Sequence, residues 1–115
     1  MDRELKRGTL EMVLLHLFSS RSMYGYEVAN ELRERTNGHF ELKEGTLYPV
    51  LYRLEEAGQV STEWITPERG VPRKYYVITD AGRADLERQL GQWRAFTSVV
   101  ARLVDGEGTD QGADR

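Results

Sequence analysis

At 115 residues the chain has room for one core, and its 39 % apolar and 30 % charged residues exclude a disordered chain or a helical membrane protein. It has no cysteine, so disulfides, thiolate metal sites and cysteine nucleophiles are excluded. The formal net charge of −3 disfavours a polyanionic partner, yet the last eleven residues carry that excess, leaving fifteen charges of each sign in residues 1–104.

Over residues 5–20, Leu10, Val13, Leu14, Leu17 and Phe18 recur at the spacing of one helix face. Leu5, Met12 and Leu15 add apolar surface beyond that stripe, which predicts a second packing partner. Arg21-Ser22 breaks the pattern, with Ser22 expected to cap a second helix that runs to about Thr36 and buries Val28, Ala29 and Leu32. Asn37-Gly38 stops that helix, because both residues tolerate the left-handed conformation. Residues His39 to Lys43 connect it to the next.

Leu47, Val50, Leu51 and Leu54 mark a third helix, beginning near Glu44-Gly45-Thr46 and closed by Gly58. Pro49 stands about one turn in, where a missing N–H is tolerated. From Val60 the period becomes two: Val60, Thr62 and Trp64 alternate with Ser61, Glu63 and Ile65. Pro67-Glu68-Arg69-Gly70 is a turn, and Arg73 to Thr79 forms the return strand. Thr79 or Asp80 then caps a last helix bearing Leu86, Leu90, Trp93, Phe96, Val100 and Leu103, close to a heptad seam. Beyond Val104 the residues are almost wholly polar, and 105–115 is expected to be a disordered acidic tail.

Helix, helix, helix, hairpin, helix is the order of a winged helix-turn-helix. The expected class is mainly α (α+β), with a two-stranded wing and a C-terminal dimerisation helix. The expected divisions are 1–79 for the DNA-binding domain, 80–104 for the dimerisation helix and 105–115 for the tail. With its stripe buried, the third helix turns Thr46, Pro49, Tyr52, Arg53 and Glu56 outward, with Tyr48 at the edge. Arg can pair with guanine, Thr with phosphate or a thymine methyl, and Tyr with phosphate. The same face also serves as the solvated side of a core helix. Arg69, Arg73 and Lys74 cluster in and beside the hairpin turn, where a wing touches the DNA backbone. Together the two signals favour DNA.

Tyr24-Gly25-Tyr26-Glu27, the run Glu44 to Glu55, Gly58, Pro72-Arg73-Lys74-Tyr75-Tyr76 and Thr79-Asp80-Ala81-Gly82 closely resemble the PadR family of bacterial transcriptional regulators. The resemblance covers roughly residues 5–104, and the single C-terminal helix resembles the short subgroup. It implies a cytoplasmic homodimeric repressor that leaves double-stranded DNA, an inverted-repeat operator, when a small molecule binds. Thr46, Tyr48, Pro49 and Arg53 match the family's recognition helix, Arg73 and Lys74 match its wing, and Tyr24 joins them as a DNA contact. Val71 stands where a basic residue is frequent, and Lys43 where a small cap is common.

A seam of Leu86, Leu90, Trp93, Phe96, Val100 and Leu103 is longer than one small core needs, so dimerisation accounts for it better than self-coverage. Trp93 is either a packing anchor or, by the family resemblance, a contact for a planar aromatic or phenolic effector, with Phe96 and Met12 beside it. Nothing points to an enzyme, a metal, a cofactor or a membrane: His16 lies within the first helical pattern, His39 in a loop, and no Gly-rich phosphate loop follows a strand. The alternative function is a winged-helix module that binds protein without DNA.

Overall fold

The structure, a computed structural model, describes residues 3–106, with side chains from Thr9 onward. The side chain of Leu5, and the tail from Glu107, lie outside the described residues. The elements in order are α1 (Arg3–Phe18), β1 (Met23–Tyr24), α2 (Gly25–Arg35), α3 (Glu44–Glu56), β2 (Val60–Ile65), β3 (Arg73–Ile78) and α4 (Asp80–Val104).

The apolar periodicity of α1 becomes the centre of the core. Leu14, Leu15, Leu17 and Phe18 are almost fully buried, together with Val28 and Leu32 of α2 and Leu47, Leu51 and Leu54 of α3. Full burial of each such side chain contributes roughly 1.5–3 kcal/mol, so α1 is the post around which the other helices assemble. At Met12 and Leu15 the spare apolar surface expected beyond its main stripe is covered within the chain. Leu15 is fully buried and Met12 nearly so, because α1 packs against α2, α3, β3 and α4.

One boundary differs from expectation. Ser22 does not cap α2. Met23 and Tyr24 instead pair antiparallel with Tyr76 and Tyr75 of β3, and α2 begins at Gly25. Tyr24 is the N-cap, and its backbone N–H donates to the Glu27 carboxylate at 3.3 Å. Burial of Met23 against the core holds this strand, whose two residues are too short to leave a period-two signal. The sheet is therefore three-stranded, in the order β1-β3-β2, and the wing hairpin is tied to the start of α2.

Asn37 and Gly38 both take positive φ, at 52° and 82°, and end α2 as expected. Gly58, at φ 74°, turns the chain from α3 into β2. The hairpin pairs Val60 with Ile78, Thr62 with Tyr76 and Trp64 with Lys74.

Of the two candidate caps for α4, Thr79 serves: its hydroxyl accepts from the Gly82 N–H at 3.0 Å and donates to the Gly58 carbonyl at 2.7 Å. One helical turn further on, Asp85 accepts from Gln59 at 2.8 Å and from Arg88. The hydrogen bonds from Arg88, helped by those from Gln89 and Gln59, hold the Asp85 carboxyl below its ordinary value against the opposing effect of burial. Thus the first two turns of α4 are clipped to the α3–β2 connection. Gly82 permits this approach, since a Cβ there would collide with the Gln59 backbone carbonyl. Gly82→Ala is expected to destabilise the fold by about 1–3 kcal/mol, measured by urea denaturation at fixed protein concentration. Unchanged stability would show that α4 can shift freely on the domain.

Candidate nucleic-acid interface

The buried stripe of α3 orients the helix so that Thr46, Tyr48, Pro49, Tyr52 and Arg53 are all exposed. Lys43 occupies the N-cap without a side-chain cap bond, and Glu44 in the first turn complements the positive end of the helix. The helix passes through Pro49 unbroken. Pro49 has no N–H to offer the Gly45 carbonyl, and both residues are exposed, so water or a ligand can satisfy that oxygen. The Tyr52 phenol is raised above its ordinary value by its hydrogen bond to Glu56 and the charge of that carboxylate.

Arg53 is not loose on this face. Its Nε donates to Glu11 of α1 at 2.9 Å, an ion pair spanning 42 residues of sequence. Lys74 pairs with Glu55 of α3 at 3.4 Å and lies 5.6 Å from the centre of the Tyr76 ring. Arg73 sits over the Tyr24 ring at 4.6 Å, and Tyr24 meets Tyr75 edge-on at 5.4 Å. Arg69 is exposed in the turn between β2 and β3. Two of the candidate cations, Arg53 and Lys74, therefore already have carboxylate partners. Lys43, Arg69 and Arg73 take part in no ion pair among the described residues.

Tyr48 joins the wing side to the helix side. Its phenol packs directly against Gly25 at the first turn of α2, where a Cβ would overlap the ring. Tyr24, Gly25, Tyr48, Trp64, Arg73, Lys74 and Tyr76 line one cleft of about 410 Å³ between wing and helices. Burial pushes the Tyr76 phenol up. The DNA contacts expected from the sequence thus gather at the wing–helix cleft and along the outer face of α3, with Arg69 apart from both in the turn.

A second hollow lies where α4 packs on α1. Thr9, Met12, Gln89, Gln92, Trp93 and Phe96 surround about 210 Å³. The α4 seam divides here. Leu86, at 6 % exposure, and Leu90 pack into their own core, whereas Trp93 is 42 % exposed and Leu103 77 %. Phe96, Val99 and Val104 are exposed as well, and Val100 is half-buried.

Sequence reasoning missed Glu11, Trp64, Val99 and Val104. The Glu11–Arg53 pair leaves no sequence signal, since only the packing of α1 on α3 brings the two together. Val99 and Val104 flank the heptad positions and sit in plain view of the pattern.

An exposed face of Thr, Tyr and Arg on the third helix, with a hairpin and its cations alongside, defines a winged helix-turn-helix DNA-binding protein. Comparison narrows the class. A profile of the transcriptional regulator PadR-like family matches residues 14–88. A transcriptional regulator of Mycobacterium tuberculosis is 29 % identical over 110 residues, covering 96 % of both chains. The crystal structure of a PadR family transcriptional regulator from Eggerthella lenta superposes with a TM-score of 0.78 at 34 % identity, covering 90 % of this chain and 88 % of that one. A transcriptional regulator from Clostridium thermocellum gives a TM-score of 0.82 at 27 % identity, covering 90 % and 98 %. The chain belongs to the PadR-like family, and it is a DNA-binding transcriptional regulator rather than an enzyme. No helix among the described residues is long and apolar enough to cross a membrane, and no cluster of His, Asp and Glu there could hold a metal.

Because Gly25 makes room for Tyr48, Gly25→Ala should displace the phenol while leaving the core packed. DNA affinity measured by anisotropy is expected to fall about tenfold, with thermal stability changed by less than ~1 kcal/mol. Equal affinity would show that Tyr48 does not need this position.

Proposed function

We propose that the chain is a cytoplasmic homodimeric repressor that reads an inverted-repeat operator and releases it when a planar aromatic molecule binds beside Trp93. The observation that carries this reading is the second half of α4. Trp93, Phe96, Val99, Leu103 and Val104 remain exposed in a chain whose core is already complete. A second copy of the same helix is the natural cover for such a stripe. At 25 residues α4 is roughly 37 Å long, enough to hold two DNA-binding domains apart while its outer half forms the joint. Two-fold symmetry sets the recognition helices about one DNA turn, roughly 34 Å, apart, and pairs two modest surfaces on one operator. Pairing suits a chain whose charge is nearly balanced, because each copy alone neutralises few phosphates.

The hollow at Thr9, Met12, Gln89, Gln92, Trp93 and Phe96 adjoins this joint. Aromatic and thioether walls with two amide side chains suit a flat, mostly apolar ligand with a polar edge. Release follows from geometry: α1 supplies Thr9 and Met12 to the hollow and Glu11 to Arg53 of the recognition helix. A ligand that wedges α1 from α4 therefore shifts both the dimer joint and a brace of α3.

Leu103→Glu should convert the dimer to monomers in sedimentation and reduce operator affinity at least tenfold, with the circular dichroism spectrum kept. A variant that stays dimeric would place the interface elsewhere. A planar aromatic dye titrated into the DNA-free protein should quench tryptophan emission in the parent and not in Trp93→Phe. A phenolic carboxylate in the same site should dissolve the gel shift on DNA upstream of the gene. Emission that ignores saturating dye would remove the effector site.

A further inference from the structure

Arg53 and Thr46 share a face of α3. They stand seven residues apart, about 20° from alignment after two helical turns, and both are exposed. Arg53 is therefore in line with the outward residues at the helix start, yet its direction is set from outside α3. Its Nε donates to Oε2 of Glu11 on α1 at 2.9 Å, and no other group among the described residues accepts a hydrogen bond from it. Both side chains are about half exposed, at 53 % and 40 %, so the pair contributes little to folding. The backbone that carries the carboxylate is nevertheless fixed, because Leu10, Met12, Leu14 and Leu15 around it are buried.

A guanidinium has one N–H on Nε and four on its two Nη nitrogens. With Nε committed to Glu11, the Nη pair is left as the edge that can make two parallel bonds, as to O6 and N7 of guanine. A tethered arginine has also given up rotamers before it docks, so less freedom is lost on binding. A phosphate can be met by a cation in many orientations and gains less from a fixed fork, and the nearby carboxylate repels it. We infer that Glu11 is a specificity-determining residue, which positions Arg53 for a base edge and penalises its use on phosphate. This role rests on Arg53 reading a base, and it needs no contact between Glu11 and DNA.

The test uses the full chain, selection from a library of duplexes of randomised sequence, and anisotropy on one labelled mixed-sequence duplex. The parent is expected to enrich a motif, and Arg53→Ala to relax that motif at one position per half-site. Glu11→Ala should relax the same position roughly fivefold, with affinity for the mixed-sequence duplex undiminished. Alanine suits a helix interior and Glu11 is half exposed, so the fold should be kept. Glu11→Gln, whose amide oxygen still accepts from Nε, should retain at least half of the preference. In an Arg53→Ala background, Glu11→Ala should alter neither quantity. Unchanged preference in Glu11→Ala, an equal loss at every position, a loss in Glu11→Gln as deep as in Glu11→Ala, or an effect that persists without Arg53 each overturns the positioning role alone. An Arg53→Ala variant that keeps the parent's motif, or a parent that enriches none, would overturn base reading by Arg53 with it.

Discussion

The outward face of α3 depends on the burial of its other side. Leu47, Val50, Leu51 and Leu54 enter the core shared with α1 and α2, and that choice forces Thr46, Tyr48, Pro49, Tyr52 and Arg53 to the outside. Rotating the helix by one residue, 100°, would bring Tyr48, Tyr52 and Glu55 to core positions in place of Leu47, Leu51 and Leu54, at several kcal/mol for an unpaired buried carboxylate. Recognition is thus preorganised by packing. The buried stripe, more than the exposed side chains, holds the helix in place.

The electrostatics follow a similar division. A chain with balanced charge cannot rely on a general positive field, so its cations must be placed. Glu11 and Glu55 take up Arg53 and Lys74, which orients both side chains along the flanks of α3 while lowering the net charge offered to phosphate. These are half-exposed pairs worth ~0–1 kcal/mol in stability, so their contribution is to direction more than to folding. Arg73 is held differently, over an aromatic face that leaves its charge available.

α4 joins two tasks along one helix. Its first turns are fastened to the domain by Thr79, Gly82, Asp85 and Leu86, each through a contact that would be lost if the helix swung away. Past Trp93 most of the apolar side chains of the same helix are exposed, with Val100 half-buried. A rigid base and a projecting apolar arm are what a dimer needs if movement at the joint is to reach the recognition helices. The hollow between α1 and α4 sits at the change from one regime to the other.

Much of this was legible in the order of residues. Helical and strand periods, the Asn37-Gly38 stop and the alternation in the wing are local properties, because each reflects which side of one element must avoid water. The outward residues of α3 follow from the same reasoning, and the PadR-like motifs added the expected role. The sequence by itself determined the number and type of the main elements, the core stripe and the outward face of α3. Only the tertiary structure decided that Met23 and Tyr24 join the sheet, that Leu15 and Leu86 are spent on the chain's own core, and that Glu11 reaches Arg53. Those facts depend on residues far apart in the chain, whose meeting is set by how whole elements pack. No period in a single segment can carry that information.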